Sequence, residues 1–263
     1  MKHRIILGSA LALAVAATGC SSNGGSSKST TPATADDYDD VAQAMSAVVA
    51  TTGGGGEVGS LADSVDLSVG VMPLGVTLGA NGEFAGNRVG LAYQYKLTCT
   101  DATGAKLGAC NTTTDKADVN VDWSGNLTIP TFSAMVTRQG DWSLSGLQTD
   151  TVTFAGSGTF SFDAAFQSAF RPAMVQFHLD YDATYDAITM EKALHVLTGG
   201  AVHYTVKAER IVATDAKNSA ANFDMDTALT FGANGAASLT LDGSHHYTVN
   251  TVSGAVVRAG DAN

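Results

Sequence analysis

The stretch FDMDTALTFGANGAASLTLDGSHHYTV, residues 223–249, alternates apolar with polar side chains and is interrupted twice by turn-forming dipeptides. Asn234-Gly235 favours a two-residue hairpin turn because both residues tolerate a positive φ angle, and Asp242-Gly243 predicts a second turn. The first turn fixes the strand register, so Ser238 and Thr240 are expected to face water. The opposite face is expected to be buried and to contain Leu229, Phe231, Leu239 and Leu241. We therefore predict an antiparallel meander at this end of the chain.

The same alternation with a period of two residues recurs in the chain from residue 58 onward. It is seen in the runs Val65–Val71, Val89–Leu97, Val119–Trp123, Phe160–Ala164, Val175–Tyr181 and Val202–Ala208. Each run is typical of a strand with one buried face and one wet face. Ser124-Gly125-Asn126 predicts a turn after the third of these runs. Strands joined by short turns build antiparallel sheets, so residues 58–263 are predicted to form an all-β domain, a large antiparallel meander shaped as a sandwich or a curved open barrel.

One helix is predicted before the strands, within residues 35–57, which also contain a glycine-rich loop. Thr34 and Asp37 have the spacing of a capping box, and Gly53–Gly56 ends the helical pattern. An apolar stripe at helical spacing is formed by Tyr38, Val41, Met45, Val48 and Val49. Four acids lie near the positive end of the helix dipole, namely Asp36, Asp37, Asp39 and Asp40. We interpret these acids as helix-capping groups rather than as a calcium site.

The N-terminus has the pattern of a bacterial secretion signal. Lys2, His3 and Arg4 precede a short apolar run, Ile5–Ala17, which is too short for a permanent membrane helix. The segment Ala17-Thr18-Gly19-Cys20 resembles the lipobox of bacterial lipoproteins, although Ala17 stands where that class usually has Leu. The resemblance implies that residues 1–19 are a signal peptide and that Cys20 becomes the lipid-modified N-terminus, carrying palmitate.

Residues 20–34 are rich in Ser, Gly and Thr, and they predict a flexible tether behind the lipid-modified cysteine. Several acyl chains at one terminus anchor a protein stably. The expected partners are therefore the membrane, through these chains, and the machinery that exports and processes lipoproteins. Ser21, rather than Asp, follows Cys20, which by the same resemblance implies the outer membrane of a Gram-negative envelope, with the β domain facing the periplasm or the cell surface.

Cys99 and Cys110 remain once Cys20 is assigned to the anchor. An even pair in an oxidising compartment predicts a disulfide bond, which would close a short loop and stabilise the fold by roughly 2–3 kcal/mol. A zinc site is the alternative, but two thiols without a nearby pair of histidines make a poor ligand set. The formal net charge of −11 disfavours binding to nucleic acid and to anionic lipid headgroups.

Two polar patterns could carry metal chemistry. Asp118-x-Asn120-x-Asp122 resembles the start of a calcium loop, but Trp123 occupies the place where such a loop needs glycine. His178, Asp180 and Asp182 share one side of a strand, and an adjacent pair of them could bind a metal with a third ligand from a neighbouring strand. In both cases we prefer the interpretation of an exposed polar face.

Other candidate residues also have a structural interpretation. His245-His246 should point to opposite faces of a strand, which disfavours a two-histidine ligand unit. Trp123, Trp142, Tyr93 and Tyr95 could form a carbohydrate platform, but their alternation with polar residues favours core positions. The chain has no Gly-x-Ser-x-Gly and no His-Glu-x-x-His motif. We therefore predict no catalytic residue, no metal and no cofactor.

The sequence as a whole predicts a lipid-anchored envelope protein with a non-enzymatic binding or structural role. It does not identify the partner, which is either a protein or a small molecule. One alternative is a carrier for a lipid or another hydrophobic ligand, held in a β half-barrel that closes on the helix. Another is an enzyme whose site is assembled from distant loops. The contents of the β domain distinguish these hypotheses, because a carrier requires a cavity there.

Overall fold

The computed structural model of the protein describes residues 32–50, 56–80, 82–88, 90–129, 132–213 and 221–260. The predicted signal peptide, Cys20 and most of the predicted tether lie outside these residues.

Two helices precede twelve strands. Helix α1 spans Ala35–Val49 and helix α2 spans Glu57–Ser68. The strands are β1 Val76–Leu78, β2 Phe84–Arg88, β3 Leu91–Thr100, β4 Lys116–Ile129, β5 Phe132–Ser145, β6 Thr151–Gln167, β7 Met174–Glu191, β8 Val196–Ala213, β9 Ala221–Phe231, β10 Ala236–Leu241, β11 His245–Asn250 and β12 Val256–Arg258.

All twelve strands belong to one sheet in which each strand pairs antiparallel with the next one in sequence. Among these strands, β1 and β12 pair only with β2 and β11, so the sheet is not closed on itself. The predicted all-β antiparallel meander is confirmed. The chain forms one open sheet rather than the two packed sheets of a sandwich.

The sheet curves around the two helices. Helix α2 packs against β3 and β4, helix α1 packs against β10, β11 and β12, and the helices touch each other. In a flat sheet β3 and β11 would lie roughly 38 Å apart, since neighbouring strands are separated by about 4.8 Å. Two adjacent helices span only about 20–24 Å. The strands must therefore bend toward the helices, which fill the concave side.

The concave face is apolar and is built from rows of residues that pair across the strands. One central row runs from β3 to β9 through Tyr93, Trp123, Arg138, Phe160, Tyr181, Val206 and Met225. Every side chain in this row is buried. Neighbours within it pack ring on ring, as in Phe160 and Tyr181, whose centroids lie 4.9 Å apart. Arg138 is the only charged residue of the row.

Helix α1 follows the sequence prediction closely. The Asp37 backbone N–H donates to Thr34 Oγ1 at 3.3 Å, and the Thr34 backbone N–H donates to Asp37 Oδ2 at 2.8 Å. The capping box is thus confirmed. The apolar stripe is also confirmed, since Val41, Met45 and Val48 are buried.

Helix α2 corrects a prediction, because the run Val65–Val71 was expected to be a strand. Residues 65–68 belong instead to a helix with Val58, Leu61 and Val65 at helical spacing. Since the helix packs against both α1 and the sheet, most of its residues are buried. The alternation around Val65 therefore carried no information about a strand.

A second correction concerns Ser124-Gly125-Asn126, which was predicted to be a turn but lies inside strand β4. Gly125 adopts a φ of 136°, and a Cβ atom there would lie 2.1 Å from the carbonyl oxygen of Gly90. Glycine therefore permits a close approach of β3 to β4 at this point rather than ending the strand.

The C-terminal meander confirms the predicted faces but corrects the turn. Leu229 pairs with Leu239 and Phe231 pairs with Ala237, and four residues, Gly232–Gly235, lie between the two strands. Asn234 and Gly235 both have the expected positive φ. A two-residue loop would have paired Leu229 with Thr240, which would place an apolar and a polar side chain on the same face of the sheet. Burial of the leucines therefore selects the longer loop.

In the part of the chain that the structure describes, neither helix combines the length and apolar character needed to cross a membrane.

The face assignment can be tested at the return strand. Leu239 is 1% exposed, so Leu239→Ala should lower the free energy of unfolding by about 2–5 kcal/mol through the cavity it leaves. Ser238→Ala, on the outward face, should change it by less than about 0.5 kcal/mol. Denaturant unfolding of both variants provides the comparison, and a larger loss for Ser238→Ala would refute the assignment.

Candidate functional site

A buried ion pair joins helix α2 to the centre of the sheet. Arg138 Nη2 donates to Glu57 Oε1 at 2.9 Å, and both side chains are 1% exposed. Tyr204 donates its hydroxyl to Glu57 Oε2 at 2.9 Å, and Tyr185 donates to Oε1. Glu57 is the first residue of α2, so its carboxylate also lies at the positive end of the helix dipole.

Aromatic rings surround the guanidinium of Arg138. Its Cζ lies 4.9 Å from the ring centroid of Trp142 and 5.6 Å from that of Trp123. Gly140 makes this arrangement possible, because a Cβ atom there would lie 3.1 Å from the Trp142 indole. The arginine is thereby held by cation–π contacts as well as by the carboxylate.

The protonation states in this cluster follow from burial and charge. Burial and the nearby Glu57 carboxylate raise the pKa of Tyr181 and Tyr204 well above 10. The same two causes also raise the pKa of Tyr185, although the charge of Arg138 acts to lower it. Burial alone would lower the pKa of Arg138, but Tyr185 and Glu57 raise it above its ordinary value. The tyrosines stay neutral donors and the arginine stays charged, which suits a structural contact and leaves none of them poised to exchange a proton near neutral pH.

Helix α1 is attached to the sheet by the same chemistry. Its acids pair with arginines from three places: Asp37 with Arg210 at the end of β8, Asp39 with Arg258 in β12, and Asp40 with Arg171 just before β7. Tyr247 donates to Asp39 at 2.9 Å, and Ser168 donates to Asp40 at 2.8 Å. Capping accounts for Asp37, as predicted, but the wider role of these acids is to bind the sheet.

These ionic contacts were missed in the sequence, although a signal for them exists. Arg138 occupies an inward position of an alternating run, flanked by Val136 and Gly140, and Arg210 follows Tyr204, Val206 and Ala208 at the same spacing. A charged residue at an apolar position of such a run predicts a buried partner. Four of the six arginines in the chain pair with acids of the two helices.

The convex face carries the predicted histidine and aspartate pattern. His178 Nδ1 lies 2.9 Å from Asp163 of β6, and Nε2 lies 3.2 Å from Asp180. Partial burial lowers the pKa of His178, but the two carboxylates outweigh it and raise the value. Asp182 lies further along β7 and makes no contact of this kind. Among the described residues, no three metal-ligating side chains converge.

The remaining predicted residues lie where the sequence placed them. Asp118 and Asn120 face outward on β4, and Asn120 donates to Asp141 of β5 at 2.8 Å. His245 stacks on Tyr38 of α1, with centroids 3.7 Å apart, whereas His246 points to the outer face and contacts Thr240. The four aromatic side chains weighed as a sugar platform are buried in the core: Tyr93, Tyr95, Trp123 and Trp142.

The disulfide bond between Cys99 and Cys110 is present, with Cα atoms 5.4 Å apart. It pins a hairpin, residues 101–110, beside the end of β3. A groove of about 640 Å³ lies between this hairpin and the turn that joins β1 to β2. Such a volume is typical of small-ligand sites. We call this feature the disulfide groove; its lining includes Glu83, Lys96, Leu97, Lys106, Leu107 and Asp122.

Comparison of the chain with protein-family models, with curated proteins and with solved structures found no match. The site is therefore interpreted from its geometry alone.

The buried ion pair can be tested with a charge-neutral partner. Arg138→Met should lower the free energy of unfolding by about 3–5 kcal/mol, because it leaves the Glu57 carboxylate buried without a countercharge. In a Glu57→Gln background the same change should cost much less. Lys207→Met on the exposed face of β8 serves as the control. An equal cost of Arg138→Met in both backgrounds would show that the charge pair is not the cause.

Asp40 predicts a pH dependence of stability. Burial raises the pKa of Asp40 to about 6, even though Ser168 and Arg171 oppose the shift. The folded state therefore binds this proton more tightly than the unfolded state, and the associated stability is present below about pH 4 and lost as the pH rises through 6. Relative to Asp40→Asn, the wild-type protein should lose about 2–3 kcal/mol between pH 4 and pH 7.5 in denaturant unfolding. A constant difference across this range would contradict the assignment.

Proposed function

We propose that the protein is a lipid-anchored envelope protein that acts without catalysis, by binding a partner at its surface. The observation that carries this proposal is the occupancy of the concave side. Two helices and the aromatic rows fill it, and the buried acids of those helices are paired with sheet arginines. Ligand-sized space is instead found outside, in the disulfide groove.

The anchor is proposed at Cys20, behind the apolar run Ile5–Ala17, with residues 20–34 as the tether. Attachment to the outer membrane, with the β domain in the periplasm or at the cell surface, follows from the resemblance to lipoproteins. Export and acylation then require the lipoprotein-processing machinery as partners.

The position of the groove supports this arrangement. The N-terminus of α1 lies beside Arg210, which pairs across the sheet with Phe177 of β7. Lys96 of the groove belongs to a different row of paired residues, which crosses β7 at Thr184. Seven residues of β7 separate these rows, which is roughly 23 Å along the strand. A tether at the N-terminus of α1 would therefore attach near the end of the sheet opposite to the groove, so that attachment leaves the groove unobstructed.

Intact-mass and native mass spectrometry of the protein extracted from envelopes in a mild detergent test the proposal. The expected species begins at Cys20 and carries only its own acyl chains, and Cys20→Ala should lack them. An unmodified wild-type chain would contradict the anchor.

The same measurement decides between surface binding and lipid transport. A lipid that is retained one per chain by the Cys20→Ala variant would favour the carrier hypothesis over the proposed function. The Cys20→Ala variant separates the two hypotheses more clearly than the wild-type protein, because any lipid mass on it cannot come from the anchor.

A further inference from the structure

Among the described residues, strand β3 has no neighbour over a short interval on the side of β2. The last pair between β2 and β3 joins Phe84 to Tyr95. Beyond it, the next partner on that side is Leu107, whose N–H donates to the carbonyl oxygen of Cys99 at 2.8 Å. Cys99 is the fourth residue after Tyr95, so the gap is roughly 13 Å long.

The backbone of Leu97 points into this gap. Along an antiparallel strand the N–H and C=O groups of successive residues point to alternate sides. Cys99 uses its carbonyl on the β2 side, while Thr100 accepts from Asp115 on the β4 side, at 2.8 Å. Leu97 is two residues before Cys99, so its N–H and C=O point to the same side as those of Cys99, toward β2. Among the described residues Leu97 is paired with a residue of β4, Val119, and with none on the β2 side. One N–H and one C=O are therefore directed toward the disulfide groove.

The side chains around the gap carry both charges. Lys96 and Lys106 line the groove together with Glu83 and Asp122. No ion pair joins any of these four to another residue of the described ranges. Apolar lining is supplied by Leu78, Phe84, Leu97 and Leu107.

We propose that the disulfide groove binds a short extended peptide segment, which adds to the edge of β3 at Leu97 and carries one acidic and one basic side chain. Backbone pairing with a sheet edge provides affinity, and pockets for alternate side chains provide selectivity. The two lysines complement the acid, and Glu83 and Asp122 complement the base. Lipids and nucleic acids lack the backbone amides that this edge would pair with.

The disulfide bond has a direct role in this site. Cys99 and Cys110 both line the groove, and their bond holds the Lys106–Cys110 wall against β3. This wall of the gap is therefore fixed by a covalent link as well as by the hydrogen bond from Leu107 to Cys99. The inference rests on the proposed surface-binding function and names the class of its partner.

Calorimetric titration of the acylated protein in mild detergent provides the test. The probes are a set of capped pentapeptides of Val and Thr, each with one Lys and one Glu. Together they cover every placement of these two residues in the five positions. At least one probe should bind, and Lys96→Gln combined with Lys106→Gln should weaken it about tenfold, because two exposed charge contacts are lost. Lys207→Gln, which lies outside the groove, is the matched control. The same probe with N-methylated backbone amides should not bind.

The outcomes separate this inference from the proposed function. Binding that survives N-methylation, or that is equally weakened by Lys207→Gln, would overturn the proposed mode. Binding by none of the probes would overturn the peptide as the ligand class, while the anchor and the surface-binding role would still depend on the mass measurements. A lipid found on the Cys20→Ala variant would instead remove the proposed function itself.

Discussion

The buried ionic contacts between the helices and the sheet are the constraint on which the rest of this fold depends. A charged group in an apolar interior is costly unless a countercharge and hydrogen bonds accompany it. Glu57 satisfies this requirement with Arg138 and two tyrosines, and Asp37 and Asp39 do so with Arg210 and Arg258 of the sheet. Asp40 pairs with Arg171 in the loop before β7, where burial still raises the pKa of the carboxyl. Each acid has one position in which its charge is compensated. The helices are therefore fixed in orientation, which apolar packing alone would leave less well defined.

This arrangement explains why the sheet remains open yet has a packed interior. Twelve strands could enclose a ligand cavity, but the helices occupy the concave side and the row through Arg138 fills the space with aromatic rings. The disulfide groove exists because β2 begins opposite Tyr95 and the cross-linked hairpin pairs with β3 only at Cys99, so among the described residues a short interval of this edge of β3 has no strand neighbour.

The predictive power of the sequence depended on how local the controlling interaction was. The capping box of Thr34 and Asp37 was predictable because its partners are three residues apart. The two-residue turn at Asn234-Gly235 was wrong, since the pairing of Leu229 with Leu239 across the sheet overrides the preference of the dipeptide. The strand predicted at Val65 was wrong for a related reason: a helix that is buried on most sides has no polar face to reveal its period.

The candidate site shows the same division. By itself the sequence determined the all-β class, the outward positions of Asp118 and His178, and the pairing of Cys99 with Cys110, because alternation and cysteine count are properties of the chain. Only the tertiary structure decided that the acids of α1 and α2 meet arginines 81 to 219 residues away, and that the edge of β3 opens into a groove. Those contacts join strands and helices far apart in sequence, and their geometry follows from the curvature of the whole sheet.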